Sequence, residues 1–142
     1  MPLPPPSSRD EHPTGKLVYV AHCNALIATT IAAILEMKGF DARAFAHPRE
    51  VVHAAQLTAP DLLLADAIMP EMNGVELALH VSQVRPKCKV LLLSGGAGTE
   101  NLLKAARDKG LHFESLNSPL HPDELIENVI RVFGEPPQSA ND

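Results

Sequence analysis

The sequence predicts an α/β fold, a five-stranded parallel sheet with helices on both faces. Three observations predict it. Short apolar runs alternate along the chain with longer segments whose apolar residues recur at helical spacing. The short runs are nearly continuous in Leu, Val and Ala, as in strands covered on both sides, rather than alternating apolar with polar. Gly, Pro or Asn-Gly punctuates most junctions between the two kinds of segment.

Taken in order, Leu17 to Ala21 is a short apolar strand. Ala25 to Lys38 carries Leu26, Ile27, Thr30, Ile31, Ile34 and Leu35 on one stripe, which predicts a helix that buries that stripe, with Gly39 as its stop. Ala42 to Ala46 is a weaker strand whose only large apolar residue is Phe45. Pro48 opens a second helix running to about Leu57. Leu62 to Asp66 is the third strand, three leucines and an alanine ending in a carboxylate. Gly74 to Val84 makes a helix with Val75, Leu77, Ala78, Val81 and Val84 facing inward. Val90 to Leu93 is the fourth strand, cut off by Ser94-Gly95-Gly96. Thr99 is expected to cap a fourth helix that ends at Lys109, before the stop at Gly110. His112 to Leu116 reads as the fifth strand. Pro122-Asp123-Glu124 opens the last helix, which carries Leu125, Ile126, Val129, Ile130 and Phe133, and its early acids suit the helix dipole.

The bulk numbers bound the function classes. A chain of 142 residues with 45% hydrophobic and 20% charged content is enough for one domain with a sizeable core. Residues 1–15, with five of the thirteen prolines, are expected to be a flexible Pro-rich lead; residues 16–134 form the domain, and 135–142 a flexible tail. A net charge of -5 without a cluster of Lys and Arg argues against nucleic acid as a partner. No apolar run approaches the ~18 residues of a membrane span, and the proline-rich start lacks the pattern of a secretory signal, so a cytoplasmic location is expected. Cys23 follows the first strand and Cys88 precedes the fourth. Parallel strands put those positions at opposite ends of the sheet, too far apart for a disulfide, so two free thiols are expected.

Asp66 is the focus of the chemistry. It ends a buried strand at the edge where open α/β sheets place their sites, and a lone ionisable group there needs a partner or a task. Around it the chain runs Pro60-Asp61-Leu62-Leu63-Leu64-Ala65-Asp66, then Met69-Pro70, Asn73-Gly74, Leu92-Leu93-Ser94-Gly95 and Ser118-Pro119. In order and spacing these resemble the receiver domain of two-component response regulators, over about residues 16–134. The resemblance implies a flavodoxin-like sheet in strand order 2-1-3-4-5. It also implies that Asp66 stands at the phosphoacceptor position and that Ser94 is the hydroxyl residue contacting the phosphoryl oxygens, bordered by Gly95. The family's acid pair, which helps to hold Mg²⁺, falls on His22 and Cys23; a slip of one residue places it on Ala21 and His22, again without a carboxylate. The family's lysine falls on Ser118, its following proline on Pro119 with an implied cis bond between them, and its aromatic switch residue on Ser115.

These departures carry physical weight. Phosphoryl transfer to a carboxylate brings an anion onto an anion, and catalysis there is positioning plus neutralisation by a metal and a cation. Mg²⁺ requires an octahedron of oxygens, whereas an imidazole and a thiol are the wrong donors. No cofactor is therefore expected and Mg²⁺ binding should be weak or absent, with Asp66 hydrogen-bonded to neighbours such as His22 or Ser94. The leading expectation is a stand-alone atypical receiver, a protein-interaction module acting without Mg²⁺-dependent phosphorylation. It would meet a histidine kinase or another signalling protein through the fourth helix, fifth strand and fifth helix, using residues of Thr99 to Lys109, Ser115 and Asp123 to Arg131. Ser115 in place of an aromatic favours one fixed conformation. One alternative is a receiver that accepts phosphate at Asp66 in a relay. Another is a metal- or redox-sensing module built on His22 and Cys23. Turnover is not expected, because no nucleophile–base pair or cofactor fingerprint is present. Ser94-Gly95-Gly96-Ala97-Gly98 lacks the ending of a nucleotide loop and follows the wrong strand. His12, His47, His53, His80, His112 and His121 lie on separate elements without ligand spacing, and are expected at the surface or in caps.

Overall fold

A computed structural model describes residues 16–94, 98–117 and 121–133. The expected lead and tail lie outside the described residues. The chain alternates strand and helix throughout: β1 (Leu17–Ala21), α1 (Ala25–Met37), β2 (Asp41–Phe45), α2 (Pro48–Leu57), β3 (Leu62–Asp66), α3 (Gly74–Val84), β4 (Lys89–Ser94), α4 (Gly98–Asp108), β5 (Glu114–Asn117) and α5 (Pro122–Phe133). The five strands form one sheet in the order β2-β1-β3-β4-β5, with every neighbouring pair parallel.

The strands face two cores because successive side chains point to opposite sides. Leu17, Tyr19 and Ala21 of β1 join Leu63, Ala65 and Leu92 on one face, covered by Val51 and Ala55 of α2, Val75, Leu77, Ala78 and Val81 of α3, and Ala106 of α4. Val18 and Val20 join Leu62, Leu64, Leu91 and Leu93 on the other, covered by Ala28, Ala32 and Leu35 of α1 and Leu125, Ile126 and Val129 of α5. Several of these leucines are wholly buried, and each contributes about 1.5–3 kcal/mol of transfer free energy. Burial on both faces explains why β3 reads as an unbroken apolar run.

The first helix corrects the expected stripe. Its buried residues are Ala28, Ala32 and Leu35, with Ile31 and Ile34 partly buried beside them, whereas Leu26 is 75% exposed and Ile27 and Thr30 are also exposed. Only three residues separate the first turn of α1 from the carboxyl end of β1. The small alanines then let the helix axis approach the sheet. The third helix matches the expected inward face except at Val84, which is exposed in the last turn.

Element ends follow hydrogen bonding rather than hydropathy. At Gly39, with φ of 95°, the amide of Phe40 donates to Leu35 O and that of Gly39 to Glu36 O, so α1 ends at Met37 and β2 starts one residue earlier than expected. The same closure at the end of α4 uses the amides of Gly110 and Leu111, which donate to Arg107 O and Ala106 O. The chain therefore joins the sheet only at Glu114, paired with Leu91, and His112 is an exposed loop residue rather than the start of β5. Helix α4 begins at Gly98, which places Thr99 inside its first turn and fully buried instead of at the cap. Strand β4 extends by one residue at each end, to Lys89 and Ser94, each of which has a partner on a neighbouring strand.

The two thiols are free and far from each other in the fold, as the strand directions require. Cys23 is exposed beyond the carboxyl end of β1, and Cys88 is buried just before β4.

Candidate functional site

Strand β1 lies between β2 and β3, so the chain leaves β1 toward one edge of the sheet and returns to continue toward the other. At such a reversal the loops after the two central strands diverge and leave a crevice at the carboxyl ends. The register places two side chains in it. Ala21 pairs with Ala65, so the next residues along these strands, His22 and Asp66, are brought side by side although 44 positions separate them. The amide of His22 donates to Phe45 O at 3.1 Å, which carries the β1–β2 ladder one residue past Ala21 and fixes the histidine backbone. The amide of Ala67 donates to Leu93 O at 3.0 Å and does the same for the residue after Asp66.

The loop beyond Asp66 is tight. Its return is fixed by the amide of Gly74, which donates to Ala67 O at 2.9 Å. A Cβ at position 74 would stand 2.7 Å from Asp66 O and 3.0 Å from both Ala67 Cα and Leu92 Cδ2, so only glycine fits there. Within the loop Met72 N–H donates to Pro70 O at 2.7 Å and closes a three-residue turn around Glu71, whose φ of 72° is left-handed. Helix α3 then starts from a reciprocal cap: Asn73 Oδ1 accepts from Glu76 N–H at 2.8 Å and Glu76 Oε1 accepts from Asn73 N–H at 3.0 Å. The Asn-Gly pair thus does two jobs, capping at Asn73 and close approach at Gly74.

His22 Nε2 stands 3.4 Å from Asp66 Oδ2, with side-chain exposures of 14% and 17%. The other carboxylate oxygen, Oδ1, accepts from Ile68 N–H at 3.3 Å. Both contacts are longer than a good hydrogen bond. The opposite ring nitrogen is occupied more firmly, since His22 Nδ1 accepts from the amide of Asn24 at 3.1 Å. That contact assigns the tautomer: with Nδ1 an acceptor, the proton of the neutral ring sits on Nε2 and faces Asp66. Asn24 is also the N-cap of α1, its side chain accepting from the amides of Leu26 and Ile27. One residue therefore sets both the helix start and the imidazole. Asn24 was not among the expected site residues. An Asn directly before a helix is a readable cap signal, but the bond from its amide to the imidazole is visible only in three dimensions.

Of the expected pocket residues, His22, Cys23 and Asp66 come together: one ligand atom from each lies within 4.8 Å of the others. Ala21 is buried inside the strand, so His22 and Cys23 are the pair that flanks Asp66. Ser94 ends β4, partnered with Asn117 and half-buried, and among the described residues no hydrogen bond joins it to Asp66. Ser115 is half-buried in β5, paired with Leu92. Gly95, Ser118 and Pro119, with the implied cis bond, lie outside the described residues.

The Mg²⁺ that a receiver fold implies does not fit this donor set. The group contributes one carboxylate, one imidazole and one thiol, where Mg²⁺ requires oxygens in an octahedron.

Among the described residues no helix is long and apolar enough to cross a membrane. Known proteins similar to this chain agree with the fold. It is 28% identical over 127 residues to the DNA-binding transcriptional regulator NtrC of Proteus hauseri, covering 87% of this chain but only 26% of that protein. The chain thus spans about a quarter of the length of that relative. It is 24% identical over 119 residues to the chemotaxis protein CheY of Thermotoga maritima, covering 83% of this chain and 98% of that one. The solved structure of the chemotaxis protein CheY4 of Vibrio cholerae superposes with a TM-score of 0.70 at 22% identity, covering 82% of this chain and 98% of CheY4. The profile of the family described as "Response regulator receiver domain" matches residues 18–130, and the chain belongs to that family, a signalling module of two-component systems.

Proposed function

We propose that this receiver is atypical, a protein-interaction module of two-component signalling that works without Mg²⁺-dependent phosphorylation of Asp66. The observation that carries the reading is the His22–Asp66 pair. An imidazole N–H faces the carboxylate at 3.4 Å, in a pocket whose neighbouring donors are an imidazole and a thiol instead of carboxylates. Neutralisation of an incoming phosphoryl group then lacks its usual metal, and the residue at the family's lysine position is Ser118.

Receiver domains act on proteins such as kinases and effectors. In this chain we assign the contact to the face made by α4, β5 and α5, in the cytoplasm, with a histidine kinase or another signalling protein as the partner class. The face is polar, and within it Arg131 of α5 pairs with Glu114 of β5 and donates to Asn128. Ser115, in place of an aromatic, provides no bulky side chain to swing between the pocket and this face. A single conformation follows, since nothing shifts a population without differential affinity for its two states.

The test is a magnesium titration of the ¹⁵N-labelled protein, followed by beryllofluoride or acetyl phosphate. The expected result is no saturable shift at Asp66 below millimolar magnesium and no beryllofluoride-dependent change in α4. Saturable shifts at Asp66, Ser94 and α4 would instead establish the relay reading, with Asp66 as a working phosphoacceptor.

A further inference from the structure

We infer that His22, Cys23 and Asp66 form a binding site for a borderline divalent transition metal, zinc(II) foremost. The inference shares with the proposed function only the exclusion of Mg²⁺ and stands or falls separately.

Three observations carry it. The ligand atoms of the three residues lie within 4.8 Å of one another, close enough for a single ion to reach all of them after small side-chain adjustments. The 3.4 Å between His22 Nε2 and Asp66 Oδ2 is long for a hydrogen bond, yet it matches the edge of a tetrahedron whose corners lie about 2.0–2.1 Å from zinc. The sheet register holds these two ligands, and Cys23, the next residue after His22, is exposed. Three protein ligands leave a fourth position to water or to a partner's side chain, as in an open zinc site. The donor set of nitrogen, sulfur and oxygen suits Zn²⁺, Co²⁺ or Cu²⁺ and discriminates against Mg²⁺.

Charge and protons balance. The Asp66 carboxylate and a Cys23 thiolate neutralise a dication. Binding releases the thiol proton to solvent. The imidazole loses its Nε2 proton to solvent, gains one at Nδ1 and presents the Nε2 lone pair to the ion, so the net release is one proton per ion with no change of oxidation state. A proton on Nδ1 breaks the 3.1 Å bond from the Asn24 amide, which makes that amide a reporter of the metal.

The experiment is a Co²⁺ titration of the reduced, chelator-treated full chain, with Co²⁺ as the coloured stand-in for Zn²⁺. The expected result is a near-ultraviolet thiolate-to-cobalt charge-transfer band that saturates at one equivalent. One equivalent of Zn²⁺ removes it, millimolar Mg²⁺ does not, and the Asn24 amide resonance moves in parallel. Cys23→Ser abolishes the band, His22→Gln weakens binding at least tenfold, and Cys88→Ser leaves it intact. Far-ultraviolet dichroism without metal checks that each variant is folded. Absence of the band in the unaltered chain, or its survival in Cys23→Ser, overturns the inference. Either outcome leaves the reading of Asp66 as unphosphorylated untouched, since that reading is decided by the magnesium and beryllofluoride arms.

Discussion

The two ends of the sheet each hold an aspartate of the β3 segment and a cysteine, and they treat them in opposite ways. At the amino end Asp61 is saturated. Its Oδ2 accepts from the buried amide of Leu17 at 2.8 Å and its Oδ1 from Arg85 Nη2 at 2.8 Å, while its own amide donates to Leu17 O. Cys88 beside it is buried, its thiol donates to Lys89 O, and burial pushes its pKa up to about 12. At the carboxyl end, among the described residues, Asp66 has the 3.3 Å contact from Ile68 N–H and the 3.4 Å approach of His22, and Cys23 is exposed. A carboxylate that ties strands together is filled with short bonds. The one at the crevice has longer contacts among the described residues. Two aspartates of the same segment thus differ in how tightly their carboxylates are held, where composition alone makes them look alike.

The largest test of this contrast is a pair of substitutions. Asp61→Ala orphans the buried Leu17 amide and the Arg85 guanidinium and is expected to cost about 2–3 kcal/mol in urea unfolding, whereas Asp66→Asn should stay within about 0.5 kcal/mol of the parent. Equal losses at both positions would erase the distinction. The thiols give a second contrast. Cys23 should react with a disulfide reagent in the native protein and Cys88 only on unfolding. Because the folded Cys88 pKa lies above its unfolded value of 9.0, the stability it contributes is present below pH 9 and lost as pH rises toward 12. The slope is up to about 1.4 kcal/mol per pH unit, and its disappearance in Cys88→Ala isolates it from other alkaline groups. Gly74→Ala tests the close approach that shapes the crevice. A Cβ 2.7 Å from Asp66 O should cost about 1–3 kcal/mol and shift Asp66 resonances, while an unchanged denaturation midpoint would show that the loop yields freely. The smallest effect sharpens the donor-set argument. His22→Asp combined with Cys23→Asp places three carboxylates in the crevice and should destabilise the metal-free protein by about 1 kcal/mol. Millimolar Mg²⁺ should restore that loss, a response not expected of the parent.

The order of elements, their types and the two cores follow from the sequence alone. Unbroken apolar runs, helical stripes and Gly or Asn-Gly stops are local signals, set by residues within a few positions of one another. The limits of that legibility are local too. The stripe through Leu26 and Ile27 has helical spacing, but whether a sheet or a loop lies beneath the first turn of α1 is not a property of the helix. His112 has the neighbours of a strand, yet the closing bonds of α4 occupy Leu111 and delay pairing until Glu114.

At the site, the residue types at positions 22, 23 and 66 already argued against a hard-metal cage, because the donor chemistry of a side chain travels with its identity. The tertiary structure alone decided that His22 Nε2 stands 3.4 Å from Asp66 and that the Asn24 amide turns the imidazole proton toward it. Those facts depend on the register of two strands distant in sequence, and register is set by how both faces of the sheet bury their side chains together, an energy summed over the whole core that no single stretch of sequence contains.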